Sequence, residues 1–126
     1  MIITKLLREL EDYLIKIEKY TDVSVNEFKN NWEIYWHVDH GLHLAIQACI
    51  DIAKEIITIK KLMKPRKYRE IFIILRKNAI ISNTLADEMQ KLAEFRNRLI
   101  HEYLYMDPKE IYRVYKNKRK YLLQYF

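Results

Sequence analysis

The residues of this chain best suited to chemistry lie between Phe95 and Tyr103. Arg96 supplies a permanent cation, Asn97 an amide, His101 an imidazole and Tyr103 a phenol. Of these groups, only the imidazole has an ordinary pKa close to neutral pH, so His101 is the candidate for proton transfer. The guanidinium of Arg96 has the forked shape that binds phosphate or carboxylate groups. The stretch therefore combines a group that can move a proton with a group that can hold an anion.

The same stretch is predicted to be helical, and Arg96 then falls where an apolar residue is expected. At about 100° per residue, Leu92, Leu99 and Ile100 lie on the same side of the helix as Arg96. A guanidinium within an apolar stripe is costly unless a partner or a cleft receives it. Asn97 and His101 are one turn apart and can act together.

A structural role for the same residues is the competing interpretation. Judged by residue type alone, Arg96 and His101 more often cap a helix or bond to a neighbouring helix than take part in catalysis. Tyr103 alone would be read as a core or interface residue, because the chain has 10 tyrosines.

Composition and length narrow the class of protein. The 126 residues predict one domain spanning residues 1–126, with 50% apolar residues to build its core. One Gly and two Pro are too few for a sheet protein with many tight turns. The single cysteine, Cys49, falls in an apolar run and cannot form an internal disulfide, so we expect a buried thiol and a cytoplasmic location. No apolar run reaches the roughly 18 residues of a membrane span, and no signal peptide is evident.

Apolar periodicity predicts an all-α protein, an antiparallel bundle of about five helices with short connections. Ser24 followed by Glu27 forms a capping box that begins the second helix. Asp107 followed by Pro108 forms the start of the last helix. The predicted helices cover residues 2–20, 25–60, 67–77, a stretch that begins at Ser82–Thr84 and carries the motif, and 108–124.

Two features of the predicted helices indicate how they pack. Gly41 lies inside the second helix and weakens it by about 1 kcal/mol relative to Ala, which a close helix crossing would explain. The apolar face of that helix is wide enough to pack on two neighbours, one of which can be a second subunit.

Asn78 is expected to take a left-handed conformation at the end of the third helix.

Several other polar groups leave alternatives open. His37, His40 and His43 recur at intervals of three residues, and we expect surface or interface histidines rather than a metal site. Asp51 either pairs with Arg96 or is solvated. The net charge of +6 permits a polyanionic partner, although runs of charge are usually solvated surfaces. No aromatic nucleic-acid platform is evident from the sequence.

Arg96-Asn97-x3-His101-x-Tyr103 resembles the R-x4-H-x-Y motif of HEPN-domain ribonucleases, in particular the HepT-like toxins of the DUF86 group. The resemblance extends over residues 67–103, over the run at 45–53 and over the Asp107-Pro108 start of the last helix. Asn78 departs from the pattern, because a glycine is expected at that turn.

The resemblance implies a HEPN-fold homodimer in which two copies of the motif face one another across a cleft. It implies a toxin of a toxin–antitoxin system that cleaves RNA, either tRNA or mRNA, without metal or other cofactor. Arg96 and His101 would then be catalytic and Asn97 supporting. The implied partner is a minimal nucleotidyltransferase (MNT) antitoxin that transfers AMP to Tyr103. Candidate RNA-binding residues are Lys64, Arg66, Lys67 and Arg98.

Two rival functions remain open. The same fold can serve as a non-catalytic, nucleotide-binding partner of a nucleotidyltransferase, or as a plain dimerisation bundle. Toxicity that disappears on substitution of Arg96 or His101 would favour the nuclease. A harmless chain that still binds its partner would favour the first rival, and a motif without affinity for RNA or nucleotide the second.

Overall fold

The computed structural model describes residues 2–66, 70–102 and 106–125, with only the backbone for Glu102 and residues 122–125. Within these residues the chain is all-helical, as predicted. Across the described helices, no stretch combines the length and the hydropathy of a bilayer span. The helices are α1 (Ile2–Glu18), α2 (Val25–Asn30), α3 (Trp32–Ile59), α4 (Glu70–Lys77), α5 (Asn83–Glu102) and α6 (Pro108–Tyr125).

The described part of the chain has six helices rather than about five, because the predicted helix 25–60 is interrupted at Asn31. The backbone of Asn31 is extended, with φ −106° and ψ 103°. Its side-chain oxygen accepts hydrogen bonds from the N–H groups of Glu33 and Ile34, at 3.1 and 3.4 Å. Asn31 therefore ends α2 and caps α3, as expected of asparagine at an N-cap.

Three predicted helix starts are confirmed by their caps, whereas the predicted start at residue 67 lies outside the described residues. Ser24 Oγ accepts a hydrogen bond from the Glu27 N–H at 3.2 Å. Ser82 Oγ accepts one from the Leu85 N–H at 3.1 Å. Asp107 Oδ1 accepts one from the Lys109 N–H at 3.0 Å. Each cap satisfies a backbone donor that the first turn of a helix leaves open.

Helix α3 is the central helix, since it contacts each of the five others. Ten of its apolar residues are buried, among them Leu42, Ala45, Ile46 and Cys49. The buried thiol of Cys49 matches the prediction, and burial raises its pKa.

The crossing of α1 and α3 explains the glycine. A Cβ atom on Gly41 would lie 2.2 Å from the Cγ2 atom of Ile17, a distance that no packed pair of carbons tolerates. Ile17 is itself buried. Gly41 therefore allows α1 to approach α3 closely, which confirms the expected close crossing.

The end of α4 differs from the prediction at one residue. Ala79, rather than Asn78, has the left-handed conformation, with φ 58°. The N–H of Ile80 donates to the Leu75 carbonyl and the N–H of Ala79 to the Arg76 carbonyl, each at 3.0 Å. These two bonds form a Schellman motif with Ala79 at C′. Asn78 instead donates its side-chain amide to the Ile74 carbonyl at 2.8 Å.

Candidate active site at the end of helix α5

The last turns of α5 place the motif at the edge of the core. Phe95 and Leu99 are buried and fix this part of the helix against the bundle. Arg96 and Asn97 lie between them and are half-buried, whereas His101 is exposed. Between Arg96 and His101 the helix therefore passes from the rim of the core into solvent.

The stripe that contains Arg96 is only partly buried. Leu92 and Leu99 belong to the core, but Ile100 is 51% exposed. The apolar stripe thus continues out of the bundle beside Arg96. Ile100, one turn after the half-buried Arg96, is therefore accessible to another molecule.

Hydrogen bonds from two helices hold the Arg96 guanidinium. One terminal nitrogen donates to Gln47 Oε1 on α3, and the other donates to Asn97 Oδ1 at 3.0 Å. Gln47 Nε2 donates in turn to Asp51 Oδ1 at 2.9 Å. The amide of Gln47 thereby connects Arg96 to Asp51. This bridged arrangement replaces both alternatives that the sequence left open for Asp51, direct pairing with Arg96 and plain solvation.

His43 is a neighbour of Arg96 that the sequence did not single out for the site. Burial lowers the pKa of its imidazole, and the charges of Arg96 and His40 lower it further. His43 is therefore neutral at pH 7 and can accept or donate a hydrogen bond beside the guanidinium. Gln47 was likewise missed, because it lies inside an apolar helical run with no motif to mark it.

Asn97 lies one turn before His101, as predicted. Its hydrogen bond with Arg96 was not predicted from the sequence. With its oxygen accepting from Arg96, the side-chain NH2 group keeps two donors for a ligand or for His101. Asn97 thus links the cation to the turn of helix that carries the imidazole.

The candidate RNA-binding residues that the structure describes lie in two places, helix α5 and the connection between α3 and α4. Arg98 on α5 forms a forked ion pair with Glu110 on α6, with one N–O distance of 3.2 Å, so part of its charge is already balanced. Lys64 and Arg66 are exposed in the connection between α3 and α4. Lys67 and Tyr103 lie outside the described residues.

The three histidines of α3 have different surroundings. The ring of His37 is hydrogen-bonded to the Tyr20 hydroxyl at 2.9 Å, His40 stacks on Trp36, and His43 lies near Arg96. The part of the chain that the structure describes contains no group of three or more metal-ligating side chains.

The fold and the site together define a helical bundle that presents an Arg-Asn-x3-His motif at the edge of its core. The protein-family model described as Ribonuclease HepT-like matches residues 10–126. This chain belongs to the HepT-like ribonuclease family.

Individual relatives agree with that assignment. The tRNA nuclease HepT of Aphanizomenon flos-aquae is 31% identical over 112 residues, which cover 89% of this chain and 76% of that protein. The mRNA nuclease HepT of Shewanella oneidensis is 32% identical over 78 residues, which cover 62% of this chain and 59% of that protein.

Solved structures show the same fold. A tri-AMPylated Shewanella oneidensis HEPN toxin in complex with an MNT antitoxin superposes with a TM-score of 0.88 at 26% identity, covering 98% of this chain and 92% of that one. A second structure, of a toxin–antitoxin complex with AMP-PNP, also gives a TM-score of 0.88 at 26% identity. That match covers 98% of this chain and 93% of the other. The predicted HEPN fold is confirmed.

Proposed function

We propose that this chain is an endoribonuclease toxin whose active site is built on Arg96 and His101, with Asn97 in support. The observation that carries the proposal is the geometry of Arg96, which Gln47 and Asn97 hold at the rim of the core, with His101 one turn beyond Asn97. Membership of a ribonuclease family supplies the reaction class. The named relatives act on tRNA in one case and mRNA in the other, so RNA is the proposed substrate.

The chemistry that fits these residues is attack by the ribose 2′-hydroxyl on the adjacent phosphate. His101 accepts the 2′ proton, the bond from phosphorus to the 5′ oxygen breaks, and a second acid protonates that oxygen. Arg96 stabilises the charge that develops on the phosphate oxygens. The products are a 2′,3′-cyclic phosphate and a free 5′-hydroxyl, and the reaction needs no metal.

A homodimer completes this proposal. In a two-fold dimer a second His101 can serve as the acid that protonates the leaving oxygen. The exposed Ile100 beside Arg96 supports an interface at this edge of the bundle. Heterodimers with one His101→Ala subunit test the point, because full activity in them would exclude a shared pair of histidines.

The nuclease is tested with purified protein on total RNA in the presence of EDTA. Wild type is expected to cleave and to leave cyclic phosphate ends, while His101→Ala and Arg96→Ala are expected to be inactive. Lys91→Ala is the matched control, because it removes an exposed cation from the same helix, 66% exposed and paired only with nearby Glu88 in the described contacts. Intact RNA with folded wild type would contradict the nuclease and favour a non-catalytic partner subunit.

We further propose that an MNT antitoxin silences this chain by AMP addition to Tyr103. The tri-AMPylated state of the Shewanella oneidensis toxin supports this, as does the position of Tyr103 in the motif. Phosphate groups attached to Tyr103, in the same motif as Arg96, would bring negative charge that binds the cation and repels RNA. Incubation with the cognate antitoxin and ATP should raise the mass by whole AMP units in wild type and not in Tyr103→Phe. A modified chain that retains full nuclease activity would contradict the proposal.

Because its proposed substrate is cellular RNA and its proposed partner uses ATP, we place the protein in the cytoplasm.

A further inference from the structure

Helix α3 carries a ladder of three aromatic rings on its surface: Trp32, Trp36 and His40. The ring centroids of Trp32 and Trp36 are 6.2 Å apart with 24° between the planes. Those of Trp36 and His40 are 5.2 Å apart with only 9° between the planes. Trp32 is 70% exposed and Trp36 43% exposed, so a large part of each indole is accessible to solvent. The three residues are four positions apart, so the helix brings their rings together on one face.

The groove beside the ladder is positively charged. It has a volume of about 620 Å³ and lies between α1 and α3, with His40 on its wall. Lys16 and Lys19 lie on the α1 side, and none of the described residues that line the groove is acidic. Lys19 Nζ lies 5.1 Å from the centre of the Tyr20 ring, so its charge stays near the aromatic groups. Exposed rings next to a basic groove are the combination with which proteins hold single-stranded nucleic acid.

The ladder also leads to the candidate active site. One turn beyond His40 is His43, whose pKa is lowered by burial and further by the charges of Arg96 and His40. A further turn brings Gln47, which holds the Arg96 guanidinium. From His40 to Gln47 the helix rises by about 10 Å. The ladder and the proposed phosphate-binding arginine thus form one continuous track.

The lysines beside the ladder favour RNA, rather than a second copy of this chain, as the molecule that binds there. In a two-fold interface laid over the ladder, Lys16 and Lys19 of both copies would come together with like charge. An RNA strand would instead bring phosphates to these lysines and bases to the rings. Each base presents a flat face that stacks on indole or imidazole without regard to sequence.

We propose that unpaired bases of the RNA substrate stack on Trp32, Trp36 and His40, upstream or downstream of the phosphate held at Arg96. This inference rests on the proposed ribonuclease function, which it sharpens: the substrate is RNA with a single-stranded segment that extends past the cleavage site. A duplex, whose bases are already stacked, would not engage the ladder.

The two tryptophans of the ladder are the only two in the chain, so fluorescence excited selectively at tryptophan reports on the ladder alone. The probe is a short 2′-O-methyl oligoadenylate, which lacks the attacking hydroxyl and is not cleaved. Titration of wild type with the single strand is expected to quench the tryptophan emission. The same strand paired with its complement should quench far less. Emission that responds equally to both, or to neither, would overturn the proposal.

Variants measure the contribution of the rings by anisotropy of a labelled strand. Trp36→Ala is expected to weaken binding about tenfold, whereas Trp36→Phe, which keeps a ring, retains most of the affinity. Ile2→Ala is the control, because it removes an apolar side chain that is 63% exposed at the start of α1. If Trp32→Ala/Trp36→Ala binds the strand with unchanged affinity, the rings do not bind RNA and the proposal is wrong. It is also wrong if this double variant is a monomer in sedimentation while wild type is a dimer, because the rings would then form an interface between copies.

Different results would refute the proposal about the ladder and the proposal of ribonuclease activity. A wild type that quenches with the single strand but cleaves no RNA would remove the ribonuclease and keep the ladder. A wild type that cleaves single-stranded RNA with the same KM as Trp32→Ala/Trp36→Ala would remove the ladder and keep the ribonuclease.

Discussion

Helix α3 packs in two different ways on two of its sides. At its crossing with α1 it is apolar and close, with Gly41 against Ile17 and no room for one further carbon atom. Towards α5 it is polar and only half-buried, with Gln47 bonded to Arg96 and His43 beside the same guanidinium. One helix thus serves as the centre of the core and as the support of the candidate site.

The difference shows how the molecule separates stability from function. The α1 side contributes close packing, in which even one methyl group matters. The α5 side keeps polar groups partly out of water, which strengthens their electrostatic effect at some cost in stability. Substitutions on the first side should therefore change the free energy of unfolding, and substitutions on the second should change activity.

The largest expected effect is that of Arg96→Ala on activity. Loss of a cation that stabilises the transition state should lower kcat/KM for RNA by about 10²- to 10³-fold. Arg96→Lys should recover only part of the activity, because it keeps the charge but not the forked donors. Thermal unfolding should change little, since the side chain lies at the rim of the core. Near-normal cleavage by Arg96→Ala would show that the α5 side of α3 does not support activity through Arg96.

Gly41→Ala tests the packed side. The new methyl group would meet the Cγ2 atom of Ile17, and we expect a loss of about 1–3 kcal/mol in the free energy of unfolding. Urea denaturation measures the loss. Ile17→Leu lacks the branch at Cβ, so the double variant should recover part of the stability in a double-mutant cycle. A Gly41→Ala protein as stable as wild type would show that the crossing is not tight.

Gln47→Leu tests whether the polar side positions Arg96. The substitution removes both hydrogen bonds of the Gln47 amide, and activity should fall about tenfold through misplacement of the guanidinium. The loss should appear in kcat, and the variant should remain folded by circular dichroism. Gln47→Ala in comparison separates the loss of hydrogen bonds from the added apolar bulk. A large loss of stability with unchanged kcat would assign Gln47 to the fold instead.

Asp39 gives the stability a pH dependence with a defined sign, and Asp39→Asn should remove it. Burial raises the pKa of Asp39 to about 6 against partial opposition from His40, and Oδ1 has no hydrogen-bond partner among the described residues. The folded state therefore holds the proton more tightly than the unfolded state, so the carboxylate destabilises the fold above pH 6. This penalty disappears as the pH falls towards 4.

The asparagine variant should consequently be more stable than wild type by about 1 kcal/mol at pH 7.5, a value reduced for the partial exposure of the group. Near pH 4 the two proteins should converge. Thermal melts across this range measure the difference, and a constant difference between pH 4 and 8 would count against a raised pKa at Asp39.

The smallest expected effect is at the end of α4. Ala79 has φ 58°, a conformation that glycine adopts without strain. Ala79→Gly should therefore raise the free energy of unfolding by up to about 1 kcal/mol. Asn78→Gly is the matched control at the adjacent residue and should bring no gain, because it loses the hydrogen bond to Ile74. Equal effects at both positions would show that the left-handed turn is not the cause.

Much of the fold could be predicted from the chain alone. Apolar residues at intervals of three and four predicted the helices, and the caps at Ser24, Ser82 and Asp107 predicted where three of them begin. The break at Asn31 was missed, since the apolar rows of residues 38–59 fit one long helix and a capping asparagine leaves no periodic signal. The turn at Ala79 was assigned to Asn78 because asparagine is the more usual left-handed residue.

The sequence by itself determined which chemical groups this protein has: a helix that carries Arg96, Asn97 and His101 in fixed register, and the core residues that hold it. The tertiary structure decided what those groups contact. Gln47 lies 49 residues from Arg96 along the chain, and only the packing of α3 against α5 brings the two together. Helical periodicity defines the faces of a single helix, whereas contacts between helices depend on crossings that side-chain shape determines, as Gly41 and Ile17 show.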